Sequence, residues 1–216
     1  MHRSKQSQKI ARTREHTITT FYLVRHGDTG IKNRISGRMT GVHLNETGRR
    51  QAERMAERFT GIAVESLYSS PVERAVETAQ PIGQNLDLTI QIAEAVSEID
   101  YGEWTGKSFD ELSLDSGWQS FNVFRSGAQV PGGENILQVQ RRFVGWMENV
   151  RRDHADGRIV VVSHQDPIKA VVTYYAGIHI DMFSRFDISN ASVTVIRVND
   201  RDASLITLNN VGVLPM

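Results

Sequence analysis

Three short runs of the chain concentrate side chains suited to holding an oxyanion. They are Arg25-His26-Gly27-Asp28-Thr29, Ser69-Ser70-Pro71-Val72-Glu73-Arg74 and His164-Gln165-Asp166. A guanidinium presents a planar fork of N–H donors that matches the oxygens of a phosphate or a carboxylate. An imidazole titrates near neutrality, so it carries protons or, through an unprotonated nitrogen, attacks as a nucleophile. Singly, each run has an ordinary explanation: an Arg-His pair on a turn, Arg74 paired with Glu73 or Glu77, a capped core histidine at position 164. What joins them is what precedes each one.

Each run follows a β pattern. Residues 18–24, 64–69 and 158–163 (RIVVVS) read as strands, and residues 88–93 as a short further one. Between them lie helical patterns. Ala52, Met55, Ala56 and Phe59 share one face over residues 47–59, closed by Gly61. Ser70-Pro71-Val72-Glu73 reads as a capping box with proline at the first helical position, followed by the stripe Val72, Ala75, Val76 and Ala79. A long amphipathic helix is expected over residues 134–154, and another opens at Asp166-Pro167 and ends at Gly177. Residues 97–132 are irregular, with short helices. Two β runs at 192–198 and 204–208 flank a turn and read as a hairpin. This alternation implies an α/β fold: a mixed, mainly parallel central sheet, helices on both faces and a C-terminal antiparallel hairpin. Ligands of such sheets bind beyond the carboxyl ends of the strands. Two arginines and two histidines therefore fall at three equivalent topological positions, in a crevice whose helix N-termini also offer unpaired N–H groups.

Composition narrows the chemistry further. The 216 residues suit a single domain. Lys+Arg and Asp+Glu balance at 25 each, which argues for neither nucleic acid nor an anionic membrane as partner. The first 16 residues differ, with five basic residues against Glu15 alone, and read as a solvated basic tail ahead of a domain at 17–216. There is no cysteine, which excludes disulfides, thiolate nucleophiles and cysteine-ligated metals. His2, His16, His43, His154 and His179 show no ligand spacing, so neither a metal nor another cofactor is expected. No apolar run is long enough to span a membrane, and a cytoplasmic protein is expected. Trp104, Trp118 and Trp146 are too scattered to stack nucleobases and read as core or rim.

The blocks LVRHGDT, SSPVERAVETA, SEIDYGEWTG, PGGEN and VVSHQDPI, in this order, resemble the histidine phosphatase superfamily, also called the phosphoglycerate mutase-like family. The resemblance covers residues 18–212. It implies a phosphoryl group that passes to His26, with Arg25, Arg74 and His164 around it and His164 most useful as imidazolium. The leaving alkoxide needs a proton. The residues leave Asp28, Glu94, Asp100 and Glu103 in competition for that task, and the resemblance places the donor at Glu98. Thr29 and the run Asn33–Gly37, which resembles the mutase run N-R-F-S-G, are implied to line the substrate site through Asn33, Ser36 and Gly37. Two departures stand out: Asp28 replaces the commoner glutamate or glutamine, and Gln165 replaces the glycine that usually follows the second histidine.

The implied activity is a phosphomonoesterase acting on a small phosphorylated metabolite, with a homodimer as the one protein partner considered. Mutases of this type carry a larger segment after the acid, with adjacent arginines. Residues 99–130 here are few, and Arg125 is their only arginine. A mutase is thus the alternative. A non-catalytic phosphate-binding module is a further one, which loss of His26, Arg74 or His164 would have favoured. A protein-phosphohistidine phosphatase would need a flat, open site, whereas residues 97–132 are expected to cover the crevice.

Overall fold

The computed structural model describes residues 17–215. The basic tail expected over residues 1–16 lies outside the described residues. Strand β1 (Thr19–Arg25) leads through a long loop into α1 (Glu46–Arg58), then β2 (Ser66–Ser69), α2 (Glu73–Leu86) and β3 (Ile90–Ile92). Two short helices, α3 (Phe109–Ser113) and α4 (Ser116–Val123), follow. Then come α5 (Ile136–Asp153), β4 (Arg158–Ser163), α6 (Gln165–Tyr175), β5 (Val193–Val198) and β6 (Ala203–Asn210).

The six strands form one sheet in the order β3-β2-β4-β1-β5-β6. The first four are parallel; β5 runs antiparallel to β1 and to β6. This is the mixed, mainly parallel sheet that the alternation implied, with the hairpin as its antiparallel edge. Side chains of successive strand residues point to opposite faces. Phe21, Leu23, Ile159 and Val161 face Phe143 and Met147 of α5 and Ile168 and Val171 of α6. Tyr22, Val24, Val160 and Val162 face Met55 of α1 and Ala75, Ala79 and Ile82 of α2. Burial on both faces explains why RIVVVS is continuously apolar rather than alternating.

A third apolar cluster sits beyond the carboxyl ends of the strands. Trp104, Leu112, Phe121 and Val130 from the irregular segment pack on Ile99, Tyr101, Ile136 and Phe183. That segment is therefore a packed cap over one end of the sheet. Trp104 is wholly buried, and the Trp104 and Trp118 rings meet edge to face.

Two helix starts differ from expectation. The long helix starts at Ile136 with Asn135 as its cap in a capping box with Gln138. Glu134 is drawn instead into ion pairs with Arg142 and Arg38. Helix α2 starts at Glu73 with Val72 as N-cap and no side-chain cap bond, so the box expected at Ser70 does not form and Pro71 lies outside the helix. The Ser70 hydroxyl instead accepts from the Val72 amide at 3.3 Å, one residue short of the Glu73 amide that the box would use, and lies 2.8 Å from Nε2 of His164.

Candidate active site

Strand register brings the three runs together. Arg25 pairs with Ser163 across β1 and β4, so His26 and His164 leave the sheet side by side. Their ring centroids are 5.1 Å apart. Ser69 pairs with Val162 across β2 and β4, which sets Ser70 against His164 and starts α2 so that Arg74 reaches both imidazoles. Arg74 donates from Nε to His26 Nε2 at 3.2 Å and from Nη2 to the Gly37 carbonyl at 2.7 Å, and its Nη2 lies 3.2 Å from His164 Nδ1. The alternative pairing with Glu73 or Glu77 is not made: Glu73 accepts from the Gly41 amide, and Glu77 holds His43 and the Leu44 amide.

Hydrogen bonds assign the histidine nitrogens. His26 Nδ1 is 2.7 Å from the Gly27 carbonyl, so it carries the proton and leaves the lone pair on Nε2, which faces Arg74. Burial, followed by the charges of Arg74 and Arg25, holds the His26 pKa well below its ordinary value. The ring is neutral at pH 7, as a nucleophile must be. His164 is wholly buried, and burial with Arg74, His26 and Arg25 pushes its pKa down as well. The imidazolium expected for His164 is thus not the state of this site; a neutral ring lies there between Arg74 and Ser70. An incoming phosphate dianion would be the counter-charge that favours protonating it.

The loop after β1 is held backbone to backbone on the first turn of α1. A β-carbon added at Gly27 would lie 2.6 Å from the Gly48 carbonyl oxygen, and one at Gly48 would lie 2.1 Å from that of Asp28. Asn45 caps α1 through the Gly48 amide and donates to the Asp28 carboxylate, and Gln51 accepts from the Asp28 amide. Gly48→Ala should therefore destabilise the fold by about 1–3 kcal/mol, the usual cost of overpacking. Gly145→Ala, exposed in α5 with nothing within 4 Å of the new carbon, should stabilise it by roughly 0.5–1 kcal/mol. Urea unfolding of the two variants checks the opposite signs.

The same contacts discriminate among the candidate proton donors. The Gly30 amide and the Asn45 side chain hold Asp28 below the ordinary carboxylate range, so it is ionised. Of the five carboxylates in competition, only Asp28 and Glu98 line the cleft. Burial raises the pKa of Glu98 to about 7; the Asp166 charge adds to the rise, and Arg74 opposes it. Its Oε2 is 3.9 Å from His164 Nδ1. Arg142 fixes its backbone by donating to the carbonyls of Ala95, Ser97 and Glu98, and Arg38 donates to the Glu98 carbonyl as well. The Glu98 carboxyl is thus largely shielded from solvent, about half protonated at pH 7 and held next to the histidine pair.

The cleft has a volume of about 370 Å³. Arg25, His26, Arg74 and Glu98 form its floor, with His164 buried beneath; Thr29, Ser36 and Gly37 line it, and so does Gln165. Asn33 does not: it is exposed and outside the lining, where its neighbour Arg34 stands instead. Its carbonyl accepts from the Phe109 amide, which ties the loop to the cap. Phe109, Trp118 and Arg125 of the cap form the outer wall. Two buried donors, Nε of Arg25 and Nη1 of Arg74, find no acceptor among the described residues. A buried guanidinium with an unused donor in a lined cleft is suited to an anion.

Sequence reasoning did not single out Asn190, Tyr101 or Asp166 as lining residues. Asn190 donates to the carbonyls of His26 and Gly27. Its signal is topological: β5 runs antiparallel beside β1, so residues just before β5 pass those just after β1. Among the described residues, no cluster of His, Cys, Asp or Glu is placed to hold a metal ion, and no helix is long and apolar enough to cross a membrane.

Comparison with known proteins agrees with the geometry. Phosphoserine phosphatase 1 of Hydrogenobacter thermophilus is 30% identical over 192 residues, covering 87% of this chain and 90% of the relative. The 2,3-bisphosphoglycerate-dependent phosphoglycerate mutase of Thermoplasma acidophilum is 31% identical, covering 82% of this chain and 86% of the relative. A phosphoserine phosphatase variant from Entamoeba histolytica, solved in complex with phosphoserine, superposes with a TM-score of 0.80 at 27% identity, covering 88% of this chain and 96% of that one. The model of the histidine phosphatase superfamily (branch 1) matches residues 21–211, and with nearly the whole fold and all three runs inside that match, the chain belongs to this superfamily.

Proposed function

We propose that the protein is a phosphomonoesterase for a small phosphorylated metabolite, working through a phosphohistidine on His26. The observation that carries this is the pairing of a neutral His26, whose Nε2 bears the lone pair, with two arginines that each keep a buried, unused donor. Phosphoryl transfer needs mainly positioning and positive charge, which Arg25 and Arg74 supply. In the first step the P–N bond to His26 Nε2 forms, the P–O bond of the ester breaks, and Glu98 gives its proton to the leaving alkoxide. In the second, water attacks phosphorus, the P–N bond breaks, and the Glu98 carboxylate takes the proton of water.

Hydrolysis is favoured over mutase transfer by Arg125. This lone cap arginine pairs with Asp166 at 3.1 Å and lies between the Phe121 and Phe183 rings, so it is committed within the protein, and Lys32 and Arg34 of the first loop are the cations left in the lining for a second anionic group of the substrate. The roofed cleft suits a small ester rather than a protein surface. Phosphoserine and 3-phosphoglycerate, each bound by a structural relative, are the first substrates to try. The test is product analysis with 2,3-bisphosphoglycerate present and absent. Inorganic phosphate and dephosphorylated alcohol in equal amounts, at a rate unaffected by a chelator, are expected. An isomeric phosphoglycerate formed without phosphate release would overturn the reading in favour of a mutase.

A further inference from the structure

The cleft contains a carboxylate that phosphate binding does not call for. Asp166 opens α6 two residues after His164 and lines the cleft together with Glu98, yet it is only 8% exposed. A fixed anion there works against binding a dianion. Its partners are not the floor arginines. The Tyr101 hydroxyl donates to Asp166 Oδ2 at 2.7 Å, and Arg125 Nη1 donates to the same oxygen at 3.1 Å. Tyr101 stands three residues beyond Glu98 on the same segment. Arg125 is in turn clamped between Phe121 and Phe183, with its central carbon 4.3 and 4.1 Å from the ring centroids. The carboxylate is thus fixed by two residues that line the same cleft as Glu98.

We propose that Asp166 is a positioning residue for the proton donor: fixed by Tyr101 and Arg125 in the cleft that Glu98 also lines, it sets the charge against which Glu98 gives up and regains its proton. The proposal rests on the reading of Glu98 as general acid. The arginines that act on the Glu98 carboxyl work the other way. Arg74 and Arg25 favour the ionised form. Arg142 and Arg38 are spent on its backbone carbonyl, His164 is neutral, and burial with the neighbouring carboxylates keeps Tyr101 protonated. Desolvation and Asp166 are what hold the proton. The same repulsion assists the second half-reaction. Once Glu98 has given up its proton it stands ionised near Asp166, and it regains neutrality by taking a proton from the attacking water as the P–N bond breaks. Arg125, by neutralising part of the Asp166 charge, sets how much of it Glu98 feels.

The opposite charges of this ion pair make opposite predictions. The readout is kcat/KM against pH on glycerol 3-phosphate, which carries no second charged group, with p-nitrophenyl phosphate as the ester that needs no acid. Substrate titration is common to all variants and cancels in the comparison. On glycerol 3-phosphate, Asp166→Asn should move the alkaline fall of activity down by roughly half a unit to one unit, the scale of one like charge in a protein cleft. Arg125→Gln should move it up. The p-nitrophenyl phosphate profile should show neither shift. Should Asp166→Asn fail to fold, the upward shift in Arg125→Gln, or its absence, decides. Unmoved profiles in folded variants would overturn the proposal. So would a rise in KM confined to phosphoserine in Asp166→Asn, which would make Asp166 a partner of the substrate ammonium instead. If Glu98→Gln itself fails to distinguish the two esters, the general-acid reading falls; if it does distinguish them while the profiles stay unmoved, only the role of Asp166 falls.

Discussion

His26→Ala is expected to lower turnover of every phosphomonoester by roughly 10⁴-fold or more, the scale on which enzymes lose rate when a nucleophile is removed. The loss should fall on kcat. Arg25 and Arg74, the groups proposed to grip the phosphate, do not depend on the His26 side chain for their place: Arg74 also donates to the Gly37 carbonyl, and Arg25 to that of Ile188. The variant should therefore still bind inorganic phosphate within about tenfold of the native protein, since it loses a neutral ring and no charge. Calorimetric titration with phosphate separates this outcome from misfolding. An alanine variant that turns over substrate at more than a few per cent of the native rate would mean that water attacks phosphorus directly.

Glu98→Gln carries the second large effect, and it should depend on the ester. An alkyl phosphate expels an alkoxide that must be protonated as the bond breaks, whereas p-nitrophenolate leaves without help. General-acid assistance is worth ~10²–10⁴-fold, so that loss is expected on the alkyl ester and less than about tenfold on the aryl one. The pH dependence follows from the sign of the shift. In the proposed role Glu98 acts when protonated, and its pKa is raised to about 7, chiefly by burial. On alkyl esters kcat/KM should hold on the acid side of neutrality and fall as pH rises through about 7. The glutamine variant should lose that fall. Equal losses on the two esters would make Glu98 a binding residue. Asp28, the other competing carboxylate lining the cleft, is held ionised and is a poor substitute.

Much of this arrangement is legible in the chain because the physics is local or periodic. RIVVVS is apolar on both faces because β4 is covered on both faces, and the runs that follow β1, β2 and β4 meet because parallel strands end together. Position in the sheet therefore identifies Arg25, His26, Arg74 and His164 without any side-chain geometry. The choice of Glu98 among five carboxylates is different. Periodicity is silent in residues 97–132, and what selects Glu98 is burial under the cap and pinning by Arg142 from a distant helix. Ser70 shows how a local signal misleads. Ser-Pro-Val-Glu has the spacing of a helix cap, but the Ser70 hydroxyl is shared between the Val72 amide and the His164 ring, and the helix starts later, at Glu73. Asn33 is a case of the same kind: a turn-forming residue expected at the substrate, whose loop is instead tied outward to the cap by its backbone. The protonation of His164 was out of reach altogether, since it depends on how many cations surround a fully buried ring.

In the proposed reaction, phosphate passes through the Nε2 nitrogen of His26. Mixing the native protein with a ³²P-labelled phosphomonoester and quenching within milliseconds tests it most directly. A phosphoramidate is labile in acid and survives alkali, unlike the phosphate esters of serine and threonine. The account predicts label that stays on the protein in alkaline quench, is released in acid, maps to the peptide containing His26 and is absent from His26→Ala. Label on another residue, or none while hydrolysis proceeds at full rate in a protein quenched during turnover, would contradict it.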